Sequence, residues 1–139
     1  MRHTHKIRLA GELRQLEAAQ NFVTEIVEKA DAGNDVVFHC QLSIEEIFTN
    51  IVEHGYGHDG ADKSIEITCE ISDKQLVISV IDEAPKFNPL DLAEPDPDTP
   101  LWEREGGGWG VYFVRQYMDA VRYKFAGERN HIIMEKKLS

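Results

Sequence analysis

The sequence predicts an α+β fold, a two-layer sandwich of helices on a sheet. Residues 63–71 and 75–81 alternate as a hairpin, and residues 121–125 and 131–138 read as a second hairpin that closes the chain. The helical patterns fall in separate blocks, two before the first hairpin and one before the second. Strands joined by hairpins, with helices set apart from them, point to two layers and away from a doubly wound parallel sheet.

Taken in order, residues 3–9 alternate weakly and read as a short edge strand. Leu13, Leu16, Val23, Ile26, Val27 and Ala30 then recur at spacings of three, four or seven, the stripe of an amphipathic helix. Gly33 and Asn34, within residues 31–35, mark its stop. The apolar run 36–40 is short enough to be strand or helix. From Ser43 the helical pattern is clear, with Ile44, Ile47, Phe48 and Ile51 on one face, and Gly55, Gly57 and Gly60 break it. In the next strand Ile65, Ile67, Cys69 and Ile71 face one way while Glu66, Thr68 and Glu70 face the other. Its partner, 75–81, is apolar on both faces, which predicts a central strand covered by helices. All five prolines lie within residues 85–100, interleaved with Asp91, Glu94, Asp96 and Asp98, so a long loop stands there. It ends in Gly106, Gly107, Gly108 and Gly110, where a helix carrying Val111, Phe113, Val114 and Tyr117 begins.

Composition bounds the function. At 139 residues and 15.8 kDa the chain fits a single domain over 1–139. A chain of that length buries about two-thirds of its unfolded surface and needs no disulfide or metal to fold. Fifteen Lys and Arg against twenty-five Asp and Glu leave a net charge of −10, which argues against direct nucleic-acid binding. No apolar run nears the roughly 20 residues of a membrane span, and the start lacks the apolar core of a signal peptide. Cys40 and Cys69 form no framework and read as reduced, buried thiols of a cytoplasmic protein.

Three places could carry chemistry. At about 100° per residue, Glu46, Asn50, Glu53 and His54 share one side of their helix and Ile47, Phe48, Ile51 and Val52 the other. A carboxamide oxygen suits Mg²⁺, which takes few protein ligands and fills its shell with water and phosphate. A carboxylate one turn away could accept a proton from an attacking hydroxyl. Ser43 and Glu46 also have capping-box spacing, so Glu46 could equally close a helix start. Next, the glycines of residues 106–110 let backbone N–H groups approach an anion at a helix N-terminus, which suits phosphate. No Lys-Ser or Lys-Thr follows, so this is not a Walker A loop, and the same glycines would serve as a hinge. Third, Asp82 ends the apolar strand, where a part-buried acid could accept a hydrogen bond from an amino group such as that of adenine, or cap a turn. His39, Cys40, His54 and His58 offer a metal reading, which Gly55 and Gly57 weaken by interrupting the helix between the last two.

In this order the three places resemble the GHKL superfamily of ATPases and kinases, and within it the stand-alone anti-sigma-factor serine/threonine kinases of bacteria. Residues 45–56, with Glu46, Asn50, His54 and Gly55, are similar to the N box. Residues 82–89, with Asp82, Phe87, Asn88 and Pro89, look like a G1 box, and residues 107–115 like a G2 box. The likeness extends to Met118, Asp119 and residues 127–130, and so covers nearly the whole chain. It departs at G1, where Ala84 and Lys86 stand at positions that are usually or often glycine.

The resemblance implies a Bergerat fold with a mixed, mostly antiparallel sheet covered on one face by helices, and a mobile ATP lid at about residues 87–106. It implies ATP and Mg²⁺, with Asn50 on Mg²⁺ and Glu46 as the general base. Asp82 would meet the adenine amino group, with Ala84 and Phe87 beside it. Gly107, Gly108, Gly110 and Val111 would surround the phosphates, and Arg104 or Arg115 would neutralise their charge. The implied activity is phosphorylation of an anti-sigma-factor antagonist by a kinase that otherwise holds a sigma factor, usually as a homodimer. Ala84 and Lys86 favour an alternative, a nucleotide-sensing module that sequesters a protein partner without phosphoryl transfer.

Overall fold

The computed structural model describes residues 2–91, Asp98 and residues 109–138. Strand β1 (His3–Gly11) leads through a 3-10 turn into α1 (Leu16–Lys29) and α2 (Asn34–Asn50), which continues as a π-helical turn, Ile51–Gly55. Strands β2 (Gly60–Ile71) and β3 (Gln75–Asp82) follow, then α3 (Trp109–Tyr117), β4 (Ala120–Ala126) and β5 (Arg129–Lys137). The described residues form one five-stranded sheet in the order β1-β2-β3-β5-β4, and its pairings are all antiparallel. The expected mixed sheet is thus antiparallel throughout, because each of these neighbours runs opposite to the next.

Alternation decides which side of the sheet is covered. Ile65, Ile67 and Cys69 of β2, Leu76, Ile78 and Val80 of β3, and Ile132 and Met134 of β5 are buried against the helices. Helix α1 supplies Ala19, Val23, Ile26 and Val27 to the same core, and α2 supplies Cys40, Ile44, Ile47 and Phe48. Burial of side chains like these is the main favourable term in folding, about 1.5–3 kcal/mol for each large one. Burial also pushes the Cys40 and Cys69 thiols up to about 12, which keeps both un-ionised.

Two expectations change. Among the described residues no helix packs on the outer face of β3, where Val77 and Ile81 are half-buried. Val77 sits in register between Glu70 and Glu135, and Ile81 between Glu66 and His131. Second, α2 starts at Asn34 and not near Ser43, with Gly33 in an extended conformation as its N-cap. Residues 36–40 are therefore helical, drawn in by Cys40 in the core and by Val36 and Val37 packed at its edge. Ser43 lies fully buried in mid-helix, so the capping-box role for Glu46 falls away.

Helix α3 is fixed at its far end. The Lys136 ammonium of β5 donates to the Tyr117 carbonyl, capping the last turn, where a cation is favoured by the helix dipole. The expected lid at about 87–106 lies outside the described residues except for its start and Asp98. At that start Asn88 Oδ1 accepts the Leu90 N–H at 2.9 Å, and Arg115 donates to the Leu90 carbonyl at 2.9 Å. Among the described residues no helix is long and apolar enough to cross a membrane.

Candidate functional site

A cavity of about 760 Å³ opens between α2 with its π-helical turn, the end of β3, the start of α3 and β5. That volume falls within the range of small-ligand pockets. Glu46, Asn50, Asp82, Ala84, Phe87 and Gly110 all line it, so six of the residues singled out in the sequence converge. His54, Lys86, Phe113 and Asn130 are among the other residues of its wall.

Helix α2 presents Glu46 and Asn50 to the cavity because its opposite arc, with Ile44 and Phe48, is held in the core. Burial, and after it the neighbouring Glu45 and Glu53 carboxylates, raises Glu46 above the ordinary glutamate range. A carboxylate shifted in this direction is a better proton acceptor once ionised. The π-helical turn that follows, a feature frequent at functional sites, brings Gly55 against the loop after β3. A Cβ on Gly55 would stand 3.1 Å from the Ala84 methyl. Gly55 therefore makes the room that Ala84 needs, and the larger residue at this G1 position is accommodated. Lys86 is exposed, its Nζ 5.7 Å from the centre of the Phe125 ring at the rim.

At the other end of the cavity Asp82 is 5% exposed. Its Oδ1 accepts the Ala84 N–H at 2.8 Å and Asn130 Nδ2 at 3.0 Å. Burial raises the Asp82 carboxyl, and the hydrogen bonds from Asn130 and Ala84 offset only part of that rise. Tyr56 holds the strand end from behind. Its ring fills a niche where Gly11 and Gly60 carry no side chain, and its hydroxyl donates to the Ser64 carbonyl at 2.6 Å and accepts the Glu83 N–H at 2.8 Å.

Gly110 brings the start of α3 directly against Glu46: a Cβ at this position would overlap Oε2. Val111 is buried and does not line the cavity. Arg104, Gly107 and Gly108 lie outside the described residues, and Arg115 is engaged with Leu90. The four residues of the metal reading do not come together. His39 stacks on Tyr117 at 4.6 Å, Cys40 is in the core, His54 lines the cavity and His58 sits in a turn. Asn50 is different: it lines the cavity beside Glu46, and a carboxamide there fits a Mg²⁺ held mainly by phosphate and water.

Sequence reasoning missed Asn130, Tyr56 and Tyr123 as site residues. Asn130 could have been found from one signal, a polar residue at the start of an apolar strand and in register with Asp82.

The sequence profile of the histidine kinase-like ATPase domain matches residues 9–136. The chain belongs to that family. It is 30% identical over 118 residues to the anti-sigma F factor of Clostridium novyi (strain NT), covering 84% of this chain and 81% of that protein. It is 28% identical over 123 residues to the anti-sigma F factor of Oceanobacillus iheyensis, with coverages of 88% and 81%. The serine/threonine-protein kinase BtrW of Bordetella bronchiseptica is 25% identical over 99 residues, 70% of this chain and 68% of that one. Among solved structures, the RsbU and RsbW domains of a Mycobacterium tuberculosis protein match with a TM-score of 0.69 at 18% identity, a likeness of fold. That match spans 98% of this chain and about a third (32%) of the solved one. As a histidine kinase-like ATPase domain, the chain carries its helix with Glu46 and Asn50, its acid at a strand end and its glycine-led helix around one cavity.

Proposed function

We propose that this chain is an ATP-dependent serine/threonine protein kinase that acts as an anti-sigma factor and phosphorylates an anti-sigma-factor antagonist. One observation carries the reading: Glu46 and Asn50 share the cavity with Asp82, and the start of α3 touches Glu46. Asp82 accepts the amino group of adenine, with Ala84 and Phe87 flanking the base. Asn50 would hold Mg²⁺, which when bound would supply positive charge to steady the phosphates. Glu46 takes the proton from the incoming serine or threonine hydroxyl as its oxygen attacks the γ-phosphorus, and the bond to the bridging oxygen breaks to release ADP. Phosphoryl transfer depends mostly on positioning and electrostatics, so this inventory suffices. Gly107, Gly108 and Gly110 around the phosphates, Arg104 against their charge and a lid over about 87–106 belong to the same reading. So do a single domain over 1–139, a homodimer, a sigma factor as second partner, and a cytoplasmic site of action. The relatives named anti-sigma F factor and serine/threonine-protein kinase support it.

The deciding experiment is thermal unfolding with and without Mg-ATP, followed by phosphate transfer to candidate antagonists. A ligand at a hundred times its dissociation constant adds about 2.7 kcal/mol of stability. The shift should require Mg²⁺ and vanish in Asn50→Ala, and transfer should vanish in Glu46→Gln. Nucleotide binding without any phosphoserine on an antagonist would favour the sequestering module.

A further inference from the structure

We propose that Asn130 sets the base selectivity of the cavity, by locking Asp82 so that its one remaining oxygen accepts from a 6-amino purine and refuses a 6-oxo purine. The inference rests on the nucleotide reading above and adds to it a residue on the strand opposite Asp82.

The orientation of the Asn130 amide is dictated by what surrounds it. Nδ2 faces three acceptors, Asp82 Oδ1 at 3.0 Å, the Ala84 carbonyl at 3.0 Å and the Pro85 carbonyl at 3.2 Å. Oδ1 faces two donors, the Phe87 N–H at 3.1 Å and the Tyr123 hydroxyl at 2.5 Å. At 4% exposure the side chain has no water to fall back on. A flipped amide would set like against like at four of the five contacts, all but the Tyr123 hydroxyl, so one orientation is held.

Asp82 is held in turn. Two donors, Asn130 Nδ2 and the Ala84 N–H, both occupy Oδ1. Among the described residues no hydrogen bond reaches Oδ2, the oxygen left to the cavity that Asp82 lines. An ionised carboxylate oxygen accepts only. It pairs with the amine of adenine and repels the carbonyl of hypoxanthine or guanine. Without Asn130 the Ala84 N–H is the one donor left on Oδ1, and the carboxyl is held less firmly. It has also lost a hydrogen bond that opposes the effect of burial, and so protonates more readily. A protonated, loosely held carboxyl offers an O–H to a 6-oxo base, and discrimination falls. The same amide also ties down the loop between Ala84 and Phe87, at the G1 positions where this chain departs from glycine.

The test compares Mg-ATP with Mg-ITP, which differ in the 6-amino and 6-oxo groups of the base, by titration calorimetry on the full chain. Wild type should prefer ATP by about tenfold or more, the scale of a lost hydrogen bond to a charged group. In Asn130→Ala the ratio should fall toward one, while Asn130→Thr, whose hydroxyl still donates to Asp82, should retain most of it. If Asn130→Ala weakens both nucleotides equally, or leaves the ratio unchanged, Asn130 serves structure alone and the proposal fails. It fails too if wild type does not distinguish the two. Should Asn130→Ala not fold by circular dichroism, Asn130→Val, which also lacks a donor and suits a strand, reads the same ratio, with the same outcome overturning the idea. Wild type binding neither nucleotide overturns the nucleotide reading itself, a result distinct from the others.

Discussion

The backbone of Gly110 lies so close to the carboxylate of Glu46 that a Cβ at position 110 would overlap Oε2. Two elements far apart in sequence are thus fitted to each other at one atom. Helix α3 cannot retreat along its axis to relieve a clash, because Lys136 holds its last carbonyl at Tyr117 and Val114 is buried against the core. The contact therefore sets the distance between the helix that leads from the glycine loop and the side chain proposed as base.

Gly110→Ala should keep the fold and lose the chemistry. The added methyl meets the far end of a flexible side chain, so Glu46 swings aside while the core stays intact. A misplacement of about 1 Å at a reacting group costs on the order of a hundredfold in rate. The expected result is a native circular dichroism spectrum with phosphate transfer down by about that factor. Wild-type transfer would show that Glu46 does not need this position.

The pH dependence of transfer should report Glu46. Burial and the carboxylates of Glu45 and Glu53 raise its pKa above the ordinary 4.5. A general base acts when ionised, so kcat/KM should rise with pH through that elevated value, and the acid limb should lie above 4.5. Glu46→Gln should remove the limb and lower turnover by roughly 10²–10⁴-fold. Its Mg-ATP thermal shift should survive, because Asn50 and Asp82 are untouched.

The sequence made the hairpins legible because Ile65, Ile67 and Cys69 alternate with Glu66 and Thr68, a pattern that few other structures satisfy. Glu46, Asn50 and Asp82 were legible for a similar reason, since helix spacing and a strand end place them without long-range knowledge. The first half of α2 was not, because a five-residue apolar run carries no period of its own and only packing by Cys40 decides it. Nor was the open face of the sheet. Val77 looks like a core residue within its own strand, and its register neighbours Glu70 and Glu135, on two other strands, mark the face as a polar one. Asn130 and Tyr56 were hidden by distance. The first bonds Asp82 across 48 positions and the second bonds Glu83 across 27.

Asp82→Asn should exchange function for stability. Burial raises the Asp82 pKa in the folded state above its ordinary 3.8. A raised carboxyl pKa favours folding below the unfolded value, and that contribution is lost as pH rises through the folded value. At neutral pH the charge is therefore a cost to the unliganded protein. An asparagine that places its oxygen at Oδ1 keeps both donors, Ala84 N–H and Asn130 Nδ2. The melting temperature of the free variant should exceed that of wild type at pH 7, and the gap should close as pH falls below about 4. Its shift with Mg-ATP should disappear, because the acceptor for the adenine amine has become a donor. A free variant less stable than wild type at pH 7 would mean that the charged carboxylate is held better than its burial implies.

Tyr56→Phe and Gly60→Ala separate the two ways in which the end of β3 is supported. The β1–β2 register shifts between Ala10 and Gly11, and the Tyr56 ring enters where Gly11 faces Gly60. Removing the hydroxyl leaves the ring in place and strips a partner from the Glu83 N–H and the Ser64 carbonyl. Water can reach both groups because Glu83 is exposed, so the expected loss is about 1 kcal/mol in urea unfolding. Gly60→Ala instead sets a Cβ 2.5 Å from the Gly11 carbonyl oxygen and 2.7 Å from the ring, so strand β1 must shift as well, an overpacking that should cost about 1–3 kcal/mol or more. Both variants loosen the turn that carries Asp82, so both should weaken Mg-ATP binding, Gly60→Ala more. Were Tyr56→Phe to match wild type in stability and in binding, sheet pairing alone would hold the Asp82 end of the strand.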